Sequence, residues 1–92
     1  MNLQDIRQDI NHIDTQLVEL LERRMTLVDK VTSFKRQTGK AVLDSKREEE
    51  VLNRVESLVV NPAYRMTIRS TFADIMSQSR AYQSEHLQTD EQ

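Results

Sequence analysis

The chain has 92 residues, which is the length of one small domain, and we expect a single domain over residues 1–92. One Gly, one Pro and no Cys exclude glycine-rich nucleotide-binding loops, disulfides, thiolate metal sites and cysteine nucleophiles. Thirteen basic and fifteen acidic residues give a net charge of −2, so the bulk charge argues against a protein that binds nucleic acid.

Residues 3 to about 37 carry a pattern that predicts one long helix. Asn2 is placed to cap its start, and Gly39 is placed to end it in the left-handed conformation. Apolar residues recur at alternating steps of three and four, which is the spacing of a coiled-coil seam. This heptad seam consists of Leu3, Ile6, Ile10, Ile13, Leu17, Leu20, Leu27, Val31 and Phe34.

A short connector over residues 40–44 separates this helix from a second one. Ser45 and Glu48 have the Ser-x-x-Glu spacing of a capping box, in which each side chain bonds to the other residue's backbone N–H. Apolar residues then follow at helical spacing as far as residue 59. The second helix is therefore predicted to begin with Ser45 as its cap.

A third helix is predicted from residue 62 to about residue 87. Asn61 suits the cap position and Pro62 the first turn, so this pair both stops the second helix and starts the third. The polar tail over residues 88–92 is expected to fray. The predicted fold class is all-α, with three helices and a long first helix.

The length of the first helix predicts an intertwined homodimer. A helix of about 35 residues is roughly 50 Å long. A compact domain of this size has a radius of gyration of only about 12 Å, so the other two helices cannot cover the whole heptad seam. A second copy that shares the long helices would cover it.

Several polar residues fall on helix faces that should be buried. Arg24 interrupts the heptad seam, Lys35 projects from nearly the same face, and Glu48 opens the inward face of the second helix. The apolar face of the third helix continues to Ser79 and Gln83. Taken singly, each has a structural interpretation. Arg24 could form an ion pair with an acid such as Glu48, or the Arg24 and Lys35 side chains could extend along the apolar surface so that their charged ends reach solvent. Together they predict a pocket for a small anionic ligand.

The composition of this pocket predicts its mode of action. It contains no His, no Cys and no metal-ligand cluster, so we expect no metal. Its groups suit binding and polarising a ligand rather than forming a covalent intermediate. No apolar run approaches the roughly 20 residues that cross a bilayer. The first residues lack the cationic and apolar parts of a secretory signal, so a cytoplasmic location away from membranes is expected.

These residues, in this order on three helices, resemble the all-helical AroQ-class chorismate mutases over residues 3 to about 87. The most specific segments are Ile13-Asp14, Leu20-Leu21-Glu22-Arg23-Arg24, Phe34-Lys35, Asp44-Ser45-Lys46-Arg47-Glu48, and Phe72 followed by Ser79-Arg80-Ala81-Tyr82-Gln83. The resemblance implies an isomerase that rearranges chorismate to prephenate in phenylalanine and tyrosine biosynthesis, without a cofactor.

The resemblance also implies a role for eight residues. Arg7 and Arg24 would hold the two carboxylates of chorismate, with Arg7 reaching in from the other subunit. Lys35 and Gln83 would donate to the ether oxygen, and Glu48 would accept from the ring hydroxyl. The remaining substrate-binding positions are Asp44, Arg47 and Ser79.

Helix geometry agrees with a second subunit as the source of Arg7. Arg7 lies about 25 Å from Arg24 along one straight helix, so both cannot enter one small site from the same chain. Two alternatives remain open at this stage: an isochorismate-pyruvate lyase on the same fold, and a helical dimerisation module without activity. From the small size we expect no separate regulatory domain, but an external regulatory protein could dock on the outer face or the tail.

Overall fold

A computed structural model describes residues 1–88 and contains three α-helices, which confirms the predicted all-α fold class. In chain order the elements are α1 (Leu3–Thr38), α2 (Ser45–Leu58), a 3-10 turn (Pro62–Tyr64) and α3 (Arg65–Gln88). The predicted fraying concerns residues 88–92; Gln88 ends α3, and the other four lie outside the described residues. No helix among residues 1–88 is long and apolar enough to cross a membrane.

Local signals set most of the helix ends. The Asn2 side chain accepts the N–H two residues further on at 2.8 Å and caps α1, and Gly39 ends the helix with a φ of 71°. Asn61 caps the 3-10 turn that begins at Pro62, so the third helix opens with one tighter turn before α3. These ends match the sequence prediction because caps and turns depend on a few neighbouring residues.

The start of α2 differs from the prediction by one residue. Asp44 is the cap, and its side chain accepts the Arg47 N–H at 3.0 Å. The predicted capping box is therefore wrong: Ser45 is the first helical residue, and Glu48 lies one position beyond the capping partner. Asp is as good a cap as Ser, and it stands one residue earlier. As a result, the Glu48 side chain is available for a tertiary contact.

The third helix holds the other two together. α3 packs against both α1 and α2, and the buried apolar core is small, with Val28 from α1, Val55 from α2 and Met76 from α3. The chain measures 55 × 27 × 15 Å with a radius of gyration of 16.5 Å. This exceeds the roughly 12 Å of a compact domain of the same length, because α1 extends well beyond its neighbours.

The heptad seam of α1 is uncovered in the single chain. All residues from 3 to 23 are exposed, and Leu27, Val31 and Phe34 are 58%, 44% and 53% exposed. The buried contacts of α1 lie at Val28 and Thr32 instead, off the heptad seam. α1 therefore presents one narrow face to α3 and leaves a long apolar face open to another partner.

Candidate active site

An open cavity of about 300 Å³ lies where the three helices meet. Small-molecule pockets typically measure about 300–1,000 Å³, so this one suits a small ligand. Fourteen residues line it, and they include seven of the eight predicted site residues: Arg24, Lys35, Asp44, Arg47, Glu48, Ser79 and Gln83. Helices and a connector that are separate in sequence thus bring these side chains together.

Arg24 enters the cavity from α1 and is held by a neutral partner on α3. Its Nη1 donates to Ser79 Oγ at 2.8 Å, and that hydroxyl donates to the Ile75 carbonyl at 2.9 Å. Ser79 is only 6% exposed, so its position is set by packing. The alternative in which Arg24 pairs with Glu48 is wrong, because Glu48 pairs with a different arginine.

Lys35 joins the connector to α3. Its Nζ donates to the Val42 carbonyl at 2.7 Å and to Gln83 Oε1 at 3.2 Å. Gln83 is 7% exposed, and within residues 1–88 its Nε2 makes no hydrogen bond. Because the amide oxygen accepts from an ammonium, the amide nitrogen keeps both hydrogens for a ligand. The Lys35 ammonium and the Gln83 amide nitrogen are therefore neighbouring donors, one charged and one neutral.

Glu48 forms an ion pair with Arg80, a residue to which sequence reasoning assigned no role. Arg80 Nη1 contacts Glu48 Oε1, both side chains are partly buried, and both line the cavity. A signal for Arg80 was present in the sequence. It lies four residues after Met76 and three before Gln83, which is the spacing of one helix face.

The cavity carries an excess of positive charge. Its lining has four cations and two carboxylates, and the carboxylates have other partners: Asp44 caps α2 and Glu48 pairs with Arg80. Among the described residues no carboxylate lies within ion-pair distance of Arg24 or Lys35. The charges of these two side chains are therefore available to an anion.

A tyrosine beyond the cavity ties α3 to α1. The Tyr82 hydroxyl donates to Asp29 Oδ1 at 2.6 Å, and its ring stacks on His86 with centroids 3.8 Å apart. The hydrogen bond to the Asp29 carboxylate raises the pKa of Tyr82 above its ordinary value, because it favours the protonated hydroxyl. This contact supports the segment of α3 next to Gln83.

Arg7 is the one predicted site residue that the cavity does not include. It is exposed on α1, about 25 Å along the helix from Arg24. Its predicted place in the site of a second subunit stays a prediction.

The family model described as chorismate mutase type II matches residues 6–84. The chain belongs to the chorismate mutase type II family. The matched range contains all eight predicted site residues, and the all-helical fold of this chorismate mutase family agrees with α1, α2 and α3. Comparisons with curated proteins and with solved structures found no match.

The side chains of this member of the chorismate mutase family favour electrostatic chemistry. The lining among residues 1–88 contains no histidine, and its one hydroxyl, on Ser79, bonds to Arg24 and to a backbone carbonyl. The arrangement can bind an anion, hold its conformation and stabilise negative charge that develops near Lys35 and Gln83.

Proposed function

We propose that the protein is a chorismate mutase that rearranges chorismate to prephenate in the cytoplasmic biosynthesis of phenylalanine and tyrosine. The observation that carries the proposal is the pair of Lys35 and Gln83, joined at 3.2 Å in a cavity with excess positive charge. Chorismate is a dianion, and negative charge develops on its ether oxygen as the rearrangement proceeds. Adjacent cationic and neutral donors suit such an oxygen.

The reaction is one unimolecular step. The ether C–O bond breaks as a C–C bond forms, and no proton moves, so the protein needs neither a nucleophile nor a general base. Arg24 binds a carboxylate and helps hold the folded conformer, in which the reacting carbons approach one another. Lys35 Nζ and Gln83 Nε2 donate to the ether oxygen, and Glu48 accepts from the ring hydroxyl.

The proposal includes a homodimer in which α1 helices pack antiparallel. It is supported by the uncovered heptad seam and by the exposure of Arg7 far from the cavity of its own chain. If the two-fold axis passes near residue 18, Arg7 of one copy lies opposite about residue 29 of the other, between Arg24 and Lys35. The contact that covers the seam would then also supply the arginine for the second carboxylate.

An assay of the purified protein with two substrates tests the proposed function. We expect chorismate absorbance to fall and prephenate to appear, with no pyruvate released from isochorismate. Pyruvate from isochorismate without prephenate from chorismate would instead assign the lyase reaction, and no turnover of either would reject both activities.

Activity is expected to stay nearly constant across neutral pH. Gln83 donates through an amide that carries no titrating proton, so the donor does not change with pH. Gln83→Glu makes the contrasting variant, because an ordinary Glu titrates at about pH 4.3 and donates only when protonated. Its activity should therefore rise as the pH falls below neutral. Parallel kcat profiles for the two proteins would contradict a role for Gln83 as donor.

A further inference from the structure

Two arginines on one face of α3 reach across to α2. Arg69 and Arg80 are eleven residues apart, which is close to three helical turns. Arg69 contacts Glu49 and Glu56, each at 3.3 Å, and lies outside the cavity. Arg80 contacts Glu48 in the cavity wall. Arginines of α3 thus form ion pairs with glutamates of α2 both at the cavity and away from it.

We propose that Arg80 is a positioning residue of the active site. It holds the Glu48 carboxylate towards a hydroxyl group of the ligand and keeps that carboxylate from neutralising Arg24 and Lys35. The inference rests on the proposed function, because it gives Glu48 the task of accepting from the ring hydroxyl of chorismate.

Several cations of the cavity compete for the Glu48 carboxylate. Its side chain is 23% exposed and shares the cavity with Arg24, Lys35 and Arg47, any of which would attract a carboxylate. Without the ion pair to Arg80, the Glu48 carboxylate would pair with one of these cations. It would then neutralise a positive charge that binds the anionic ligand. The ion pair with Arg80 gives the Glu48 carboxylate a partner other than these three cations.

Arg80 also sets the orientation of the Glu48 carboxylate. Asp44 caps α2, so the Glu48 side chain makes no capping bond to a backbone N–H. Within residues 1–88 Arg80 is the hydrogen-bonding partner of its carboxylate. Arg80 binds Oε1, which leaves Oε2 to accept from a hydroxyl. A charge-assisted bond between two partly buried side chains restricts the rotation of Glu48 before the ligand arrives.

The experiment compares Arg80→Gln with Arg69→Gln, which removes the two α2–α3 ion pairs of Arg69 without touching the cavity. We expect Arg80→Gln to lower kcat/KM for chorismate about tenfold and Arg69→Gln to change it by less than about twofold. Circular dichroism and the melting temperature report whether both variants stay folded. Equal effects of the two substitutions on kcat/KM would overturn the inference, since they would show only a structural link between helices.

A double-mutant cycle tests whether Arg80 acts through Glu48. In the Glu48→Gln background there is no carboxylate to hold, so adding Arg80→Gln should change kcat/KM by less than about twofold. A full tenfold loss in that background would overturn the positioning role. If Arg80→Gln does not fold, Arg80→Lys replaces it in the same cycle and in the comparison with Arg69→Gln. We expect a smaller loss that again disappears with Glu48→Gln.

The controls separate this inference from the proposed function. If the unchanged protein does not convert chorismate, the proposed function fails. If it does convert chorismate while Arg80→Gln matches Arg69→Gln, the proposed function stands and the positioning role of Arg80 fails.

Discussion

Replacing Lys35 by Ala is expected to lower kcat/KM for chorismate by about a hundredfold to a thousandfold. Removing one preorganised donor from a developing oxyanion has effects of that size in other enzymes. Lys35 is also the partner of Gln83 Oε1, so its loss frees the amide to turn and weakens the second donor. Initial rates of chorismate loss measure the effect, together with the melting temperature.

Lys30→Ala is the matched control for this substitution. Lys30 lies on the same helix, is exposed and does not line the cavity, so this variant should keep the activity of the unchanged protein. The alternative of a dimerisation module predicts that Lys35→Ala only maintains or raises stability. Activity of Lys35→Ala within about threefold of the unchanged protein would contradict the place of Lys35 at the ether oxygen.

Mixing two inactive variants is expected to restore activity if the sites are shared between subunits. Arg7→Ala and Arg24→Ala should each lose about a hundredfold in kcat/KM, because each removes a charged clamp on a carboxylate. In the mixed dimer, one site combines the intact Arg24 of one chain with the intact Arg7 of the other, whereas the second site lacks both. Random exchange of subunits should therefore return about a quarter of the original activity.

A second mixture controls for this recovery. Arg24→Ala and Lys35→Ala alter residues that line the cavity of a single chain, so their mixed dimer has no intact site and should stay inactive. Copurification of differently tagged chains verifies that subunits have exchanged. No recovery with Arg7→Ala after verified exchange would contradict a site completed by Arg7 of the partner.

The arrangement of the cavity suits the proposed rearrangement, which needs no nucleophile. Arg24 and Lys35 are held by a hydroxyl, a carbonyl and an amide oxygen, all of which orient a cation without cancelling its charge. The two carboxylates are bound elsewhere, one in the cap of α2 and one by Arg80. The chain as a whole has a net charge of −2, yet the cavity is positive, because most of the acidic residues within residues 1–88 lie outside it.

The periodicity and the end signals of the sequence were enough to predict the helices. Caps such as Asn2 and Gly39 act within a few residues, and the steps of three and four describe one helix face regardless of its surroundings. The start of α2 was missed by one residue because Asp44 and Ser45 are adjacent and both suit a cap. Which of them is used depends on the path of the connector, where Lys35 holds the Val42 carbonyl.

The candidate site could be predicted in composition but not in its contacts. Arg24 on a seam, with Ser79 and Gln83 on an apolar face, identifies polar groups at inward positions from the sequence. A pattern along one helix does not give the distance to another helix, so the sequence left Arg24 with Glu48 as a reasonable ion pair. The packing of α3 against α1 and α2 brings Ser79 to Arg24 and Arg80 to Glu48 instead.

The sequence alone therefore established an all-α chain, the long first helix, the polar residues on its inward faces and, through its resemblance, the family. These follow from residue types and from spacings within one element, which are local properties. The pairing of Glu48 with Arg80, the exposure of the heptad seam and the positive cavity required the folded chain. They depend on distances between residues far apart in sequence, and those distances follow from how the three helices pack.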